Sequence, residues 1–134
     1  MINKQYQDLF ALVARNGAIA GEQALETLKN LPKEERTGEE STLKMVEAYR
    51  KLEDKIRTGE EELNLMDYVL LYTGSIISRE ILQKNVNTWS AMVHEYDTNL
   101  IPKLYEVAKE TDDEKRNELI EKSFSEEKID NEQN

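Results

Sequence analysis

Hydrophobic residues recur at intervals of three and four along most of this chain, which is the spacing of one face of an α-helix. The first such stripe passes through two glycines, Gly17 and Gly21, and predicts one helix over about residues 3–31. Pro32 ends this helix, because the residue before a proline is disfavoured in the α-helical conformation. A helix of this length would be about 40 Å long.

The second hydrophobic stripe follows a polar connection and predicts a second helix. Its N-terminal cap is expected either at Thr37, with Glu40 completing a capping box, or at Ser41. Gly59 supplies the stop, because glycine readily adopts the left-handed conformation in which helices end. The first two helices are therefore predicted to lie antiparallel.

The third stripe begins after Asn64, which is expected to cap it. No glycine or proline lies between Gly74 and Pro102, so the sequence favours one long helix over residues 64–98. The stripe slips by one position near Ile81, and a break there is the alternative that the pattern leaves open.

The rest of the chain is more polar. Pro102 predicts either a kink or a fresh helix start capped by Asn99. Thr111 is expected to begin a short final helix, and residues 126–134 have the composition of a disordered acidic tail. The predicted fold is all-α, an elongated antiparallel bundle of three or four main helices in a single domain over residues 1–125.

Three glycines lie inside the predicted helices, where each costs about 1 kcal/mol of helix propensity relative to alanine. Gly74 lies within residues 65–77, which are apolar on nearly all sides and so predict the central helix of the bundle. Gly17 and Gly21 predict a close contact with Gly74, in which small residues face small residues. The alternative is a cavity for an apolar ligand. The polar groups that would orient the ligand in this cavity are the hydroxyls of Tyr72, Thr73 and Ser75.

Charge narrows the classes of partner. The 134 residues include 28 acidic and 18 basic side chains, for a formal net charge of −10. The negative charge is concentrated in residues 34–62 and 106–134. Because such a surface repels phosphate backbones, direct binding to nucleic acid is not expected.

Composition also bears on location. Cysteine is absent, which excludes disulfides and zinc–thiolate sites. The N-terminus lacks the order of a signal peptide, and no apolar run reaches the roughly 20 residues of a membrane span. We therefore expect a cytoplasmic protein with no membrane partner.

Catalytic chemistry has few candidates. His94 is the only histidine, and no glutamate precedes it at the spacing of a Glu-x-x-His metal motif.

All-helical nucleotide pyrophosphohydrolases bind magnesium through paired carboxylates on facing helices. The comparable acids in this chain are Glu39, Glu40, Glu60, Glu61, Glu62, Glu110 and Asp113. They lie at helix starts and in loops, where the helix dipole stabilises negatively charged side chains. Because this accounts for their positions, no metal or other cofactor is expected. A magnesium-dependent nucleotide hydrolase remains the second hypothesis.

The leading hypothesis is a non-enzymatic protein-binding module that uses its acidic segments or its aromatic residues. Its candidate partner-binding residues are Glu39, Glu40, Glu60, Glu61, Glu62, Tyr72 and Trp89. In a narrower form, the acidic face imitates a nucleic-acid backbone and occupies the basic groove of a nucleic-acid-binding protein. Small acidic inhibitors, including phage-encoded ones, share this composition. The third hypothesis is a homo-oligomeric structural protein, such as a homodimer joined through the long helix.

Overall fold

The computed structural model describes residues 2–84 and 90–125, and within these residues the all-α prediction is confirmed. The helices are α1 (Lys4–Lys29), α2 (Glu39–Thr58), α3 (Leu65–Gln83), α4 (Ser90–Glu95), α5 (Ile101–Lys109) and α6 (Asp113–Phe124). A 3₁₀ turn (Lys33–Glu35) follows α1, and one turn of π-helix (Tyr96–Leu100) joins α4 to α5. The predicted tail, residues 126–134, lies outside the described residues.

The ends of α2 and α3 show two of the predicted boundary signals. Asn64 caps α3, and a full capping box forms, because Asp67 and Asn64 each accept a hydrogen bond from the other's backbone N–H. Gly59 ends α2 in the left-handed conformation, with a φ of 65°. Both predictions are confirmed.

Two other predicted caps are wrong by one or a few residues. α2 begins after Gly38, which has a φ of 75°, and the Gly38 carbonyl accepts hydrogen bonds from both the amide and the hydroxyl of Thr42. Neither Thr37 nor Ser41 is the cap residue. α6 is capped by Asp112, whose side chain accepts from the amide of Lys115, where a cap at Thr111 was expected. Adjacent residues with similar capping chemistry do not reveal which one the helix uses.

The prediction of one helix over residues 64–98 is wrong, and the break near Ile81 that the pattern left open is confirmed. α3 ends at Gln83, and the chain returns antiparallel to it, so that Arg79 Nε lies 2.6 Å from Asp97 Oδ1. In a continuous helix these two residues would be about 27 Å apart. The two halves fold back because each carries its own apolar stripe, and packing the stripes against each other removes both from water.

Pro102 lies in the first turn of α5, as a fresh helix start at this proline predicts, but the expected cap at Asn99 is wrong, because the N-cap position is Leu100 and no side chain caps it. The backbone stays helical on both sides of it, and the strain is relieved one turn earlier by the π-helical turn. There the amide of Ile101 donates to the carbonyl of Tyr96, five residues back. The wider turn makes room for the proline ring, which would otherwise meet the carbonyl four residues before it. Asn99 donates to Glu95 Oε2 and caps no helix.

Successive long elements run in opposite directions along the bundle. We call the end at which α1 begins and α2 ends its lower end. α1 and α2 are antiparallel, since Gln7 near the start of α1 donates to the carbonyl of Ile56 near the end of α2. α3 runs parallel to α1, with Phe10 against Tyr68 at one end of the contact. The segment from α4 to α5 then runs back along α3. α6 closes the lower end of the bundle, where the Phe124 ring lies 5.1 Å from that of Phe10.

Tyr49 of α2 fills the space between α1, α2 and α3. A Cβ built on Gly17 would lie 2.7 Å from the Tyr49 ring, and one built on Gly74 would lie 3.3 Å from it. The Tyr49 hydroxyl donates to the Leu70 carbonyl at 2.9 Å, and burial raises the pKa of this hydroxyl to about 12. Gly21 faces Val46 of α2 instead.

The predicted close contact of α1 with α3 at Gly74 is present, since a Cβ built on Gly74 would lie 3.2 Å from the Val13 carbonyl oxygen, but the predicted pairing of Gly74 with Gly17 and Gly21 is wrong. The glycines form notches that receive large side chains, and the nearest atoms to Gly74 belong to Val13 and Tyr49. The two neighbouring hydroxyls return to the carbonyls of their own helix, since Thr73 donates to Val69 and Ser75 to Tyr72.

Candidate protein-binding surface

The outward side of α3 is apolar and exposed. Four residues at helical spacing form this surface, which we call the α3 stripe: Met66, Val69, Thr73 and Ile76. Met66 is 63% exposed and Ile76 37% exposed, and Thr73 between them is also exposed. From Met66 to Ile76 the stripe is about 15 Å long. The sequence predicted a helix enclosed on nearly all sides, but α1, α5 and the segment from α4 to the π-helical turn cover only part of α3. Met66, Thr73 and Ile76 are left exposed and Val69 is half-buried.

The outward side of α2 differs sharply from the α3 stripe. Its exposed residues include Glu47, Lys51 and Asp54, and α2 as a whole carries five acidic and five basic residues. In α3, by contrast, no charged residue lies between Asp67 and Arg79. Single exposed apolar residues also occur on the other helices, such as Leu12 of α1 at 44% and Leu43 of α2 at 48%. What distinguishes α3 is a run of exposed and half-buried positions without any charge.

Two tyrosines border the α3 stripe on the side of α5. The ring of Tyr72, which is half-buried, lies 5.6 Å from that of Tyr105, which is 48% exposed. Lys109 places its ammonium group 5.1 Å from the Tyr105 ring centre. Tyr72 is four residues from Ile76, so the pair extends the apolar surface sideways. The other aromatic candidate, Trp89, lies outside the described residues.

Two acidic segments that are far apart in the sequence meet at the lower end of the bundle. We call them together the acidic pole: Glu60, Glu61, Glu62, Glu110, Asp112, Asp113 and Glu114. Both segments lie at the end of the bundle where α1 begins, because Gln7 of α1 contacts Ile56 near the end of α2 and Phe10 of α1 contacts Phe124 of α6. Burial raises the pKa of the Tyr68 hydroxyl above its usual range, and the charges of Glu62 before α3 and Arg116 in α6 both act on it.

Basic side chains balance only part of the acidic pole. The buried guanidinium of Arg116 donates to Asp113 and, at 2.8 Å, to the carbonyl of Glu110. Lys55 donates to Asp67 at 2.7 Å and lies 3.9 Å from Glu61. These ion pairs hold the two connections in place, and the pole keeps an excess of negative charge.

The acids predicted to bind a partner do not form a single surface. Glu39 and Glu40 are exposed in the first turn of α2, whereas Glu60, Glu61 and Glu62 follow its last turn. Because α2 has 20 residues, the two groups are separated by roughly 30 Å. Only the second group lies next to the α3 stripe, which Met66 begins in the first turn of α3.

The acids considered as magnesium ligands are likewise spread over both ends of the bundle. Among residues 2–84 and 90–125, no group of three acidic or histidine side chains is placed to hold a metal ion. Asp113 is engaged by Arg116, and Glu110 accepts a hydrogen bond from the amide of Asp112. The magnesium hypothesis therefore gains no support from geometry in the described part of the chain.

The opposite end of the α3 stripe is closed by an ion pair. Arg79 donates to both carboxylate oxygens of Asp97, at 2.6 and 3.1 Å. This hydrogen bonding holds the pKa of Asp97 below its usual value. The pair ties α3 to the π-helical turn and leaves little net charge there.

A cavity of about 250 Å³ lies between α1 and the π-helical turn. Its walls are mainly apolar and are formed by Tyr6, Leu9, Ala91, Met92, Glu95, Tyr96, Asn99 and Leu100. Beside it, Asn16 of α1 donates to the Ser78 hydroxyl at 3.0 Å. Burial raises the pKa of Tyr96, and its hydrogen bond with Ser78 partly offsets this rise. These contacts join α1, α3 and the π-helical turn, which is a structural role.

None of the helices in the described ranges is long and apolar enough to cross a membrane. Comparison of the chain with models of protein families, with curated proteins and with solved structures finds no match.

Proposed function

We propose that this chain is a non-enzymatic protein-binding module whose partner docks on the α3 stripe. The observation that carries the proposal is an exposed face of α3 that has no charged residue between Asp67 and Arg79, whereas α2 carries five acidic and five basic residues. Folded proteins rarely leave a contiguous apolar face open unless another molecule covers it. Covering Met66 and Ile76 stabilises the complex by about 25 cal/mol for each Å² of apolar surface removed from water.

The acidic pole selects the charge of the partner. It adjoins Met66, so a protein that covers the stripe also lies close to the pole. Complementary charge speeds association and disfavours acidic competitors, which favours a partner with basic residues at this edge. Nucleic acid is a poor occupant, because its phosphates and the pole have the same sign.

The narrower hypothesis of a nucleic-acid mimic stays a prediction. It calls for a row of carboxylates placed like phosphates, whereas Glu39 and Glu40 lie roughly 30 Å from Glu60, Glu61 and Glu62. The charges between them along α2 are of both signs, with basic residues such as Lys44, Arg50 and Lys51 among the acids. The proposed function is therefore protein binding through the α3 stripe, without imitation of a nucleic-acid backbone.

Quantitative capture from a lysate of the source cells tests this function. The baits are the wild-type protein, Thr73→Glu in the α3 stripe, and Gln23→Glu, which adds the same charge to an exposed position of α1. We expect one or more basic proteins to be retained by the wild type and by Gln23→Glu and lost from Thr73→Glu. Equal retention of every protein by all three baits would contradict the proposal.

Two controls accompany the capture. Circular dichroism and the melting temperature check that Thr73→Glu folds, which we expect because Thr73 is exposed and glutamate is a good helix former. Light scattering after gel filtration checks for a second copy on the stripe. A wild-type dimer that Thr73→Glu dissociates would replace the basic partner by a second copy of this chain.

A further inference from the structure

The geometry around the α3 stripe also points to the form of the partner. We propose that the partner contributes an amphipathic α-helix that lies along α3, with lysine or arginine residues at the end nearest the acidic pole. This inference rests on the protein-binding function proposed above and specifies the element that binds.

The bundle has room for an additional helix beside α3. α2 and α3 each pack closely against α1 but approach each other little. Two polar contacts join them: Tyr49 donates to the Leu70 carbonyl at 2.9 Å, and Lys55 donates to Asp67 at 2.7 Å. Further along this side of α3, Ile81 is 45% exposed. A helix packed here would cover apolar surface that the described helices leave open.

The spacing of the stripe favours a helix over a strand or a loop. Its residues follow steps of three and four, and such a row packs into the matching row of another helix. A length of about 15 Å corresponds to roughly three turns of that partner helix. Thr73, near the middle, is smaller than Met66 and Ile76 on either side, so the two helix axes can approach closely at this point.

Charge fixes which end of the partner helix is basic. Glu60, Glu61 and Glu62 immediately precede α3, and the acids of the α5–α6 connection lie at the same end. At the other end, Arg79 and Asp97 neutralise each other. The electrostatic potential along the stripe is therefore most negative beside Met66, where basic side chains of the partner gain most.

Synthetic peptides of about 18 residues test this inference, that length being enough for a helix. Three peptides share one row of leucines at helical spacing and carry a cluster of lysines, glutamates or glutamines at one end. We expect the lysine peptide to bind the wild type about tenfold more tightly than the glutamate peptide, because it forms several exposed charge pairs. This preference should become clearly smaller in the triple variant Glu60→Gln, Glu61→Gln, Glu62→Gln, which keeps the acids of the pole that follow α5.

The outcomes separate this inference from the proposed function. Equal affinity of the three peptides would overturn the basic end while leaving a protein-binding stripe. Binding of the lysine peptide to Thr73→Glu as tightly as to the wild type would overturn its placement on α3. Failure of every peptide to bind would overturn the helical partner, whereas the proposed function itself fails only if the capture from lysate does not depend on Thr73.

Discussion

Replacing Gly17 by alanine tests whether Tyr49 sets the spacing of α1, α2 and α3. The new Cβ would lie 2.7–2.8 Å from three carbons of the Tyr49 ring, closer than carbons approach without a bond. The ring has little freedom to retreat, because it is fully buried, its hydroxyl is bonded to the Leu70 carbonyl, and Gly74 crowds the same edge. The helices themselves must therefore shift.

The expected cost of Gly17→Ala is the difference between two effects. Overpacking a core typically costs 1–3 kcal/mol of stability. Because the new Cβ meets three atoms of a ring that cannot move away, we expect a cost of about 3 kcal/mol from overpacking at this site. Alanine recovers about 1 kcal/mol, because it favours the helix over glycine. The net effect is a loss of about 2 kcal/mol in the free energy of unfolding. In a protein of this length it lowers the melting temperature by roughly 6–10 °C.

Urea unfolding followed by circular dichroism measures this cost in two backgrounds. In a Tyr49→Leu background the aromatic ring is gone, so the same Gly17→Ala change should be neutral or stabilising. The two backgrounds should therefore differ by about 2–3 kcal/mol, which is the coupling between the positions. A Gly17→Ala variant that is more stable than the wild type, or that costs the same in both backgrounds, would refute the role given to Tyr49.

Three further predictions follow from the hydrogen bonds and charges described above. Tyr49→Phe should cost about 1 kcal/mol in urea unfolding at neutral pH. Because the pKa of Tyr49 rises from 10.0 to about 12 on folding, stability should fall between pH 10 and 12, and less so in Tyr49→Phe. Asp97→Asn should flatten the loss of stability below about pH 4, since the lowered pKa of Asp97 stabilises the fold only while the carboxylate is charged. In the variant with glutamine at Glu60, Glu61 and Glu62, association with a basic partner at low salt should be slower and its rate should depend less on salt. Stopped-flow measurement of the association rate checks this, and unchanged rates would show that the pole does not steer binding.

Boundaries that depend on local chemistry could be predicted from the sequence. Asn64 with Asp67, and Gly59 at the end of α2, act within one helical turn, so neighbouring residues suffice to identify them. The cap of α6 was displaced by one residue, because Thr111 and Asp112 have similar capping chemistry and differ only in their register to the helix. Local signals thus identify the kind of boundary more reliably than its exact residue.

The reversal after α3 could not be predicted in the same way. The sequence lacks a glycine or proline between Gly74 and Pro102, yet α3 ends at Gln83. What decides the reversal is the gain from packing Tyr72 against Tyr105 and pairing Arg79 with its partner in the returning segment. The slip of the apolar stripe near Ile81 indicated where a break could occur. Whether the chain breaks there depends on contacts between residues far apart in the chain, about which periodicity along one helix carries no information.

The candidate site was anticipated only in part. Sequence indicated the acids and the apolar stretch, but an apolar helix was expected to be enclosed, and the exposure of Met66 and Ile76 depends on how many helices surround it. The convergence of Glu60–Glu62 with the acids after α5 likewise follows from the direction of each helix. A usable signal was present in the contrast with α2, which carries ten charged residues of both signs, while α3 has none between Asp67 and Arg79.

Titration calorimetry of the captured partner tests the protein-binding account most directly. The partner is titrated into the wild type, Thr73→Glu and Gln23→Glu, all shown to be folded. The account predicts that Thr73→Glu weakens binding at least about tenfold, because an unpaired carboxylate enters the centre of the interface. Gln23→Glu should stay within about twofold of the wild type, since it adds the same charge on an exposed part of α1. Equal affinity of the partner for all three proteins would contradict the claim that α3 is the binding surface.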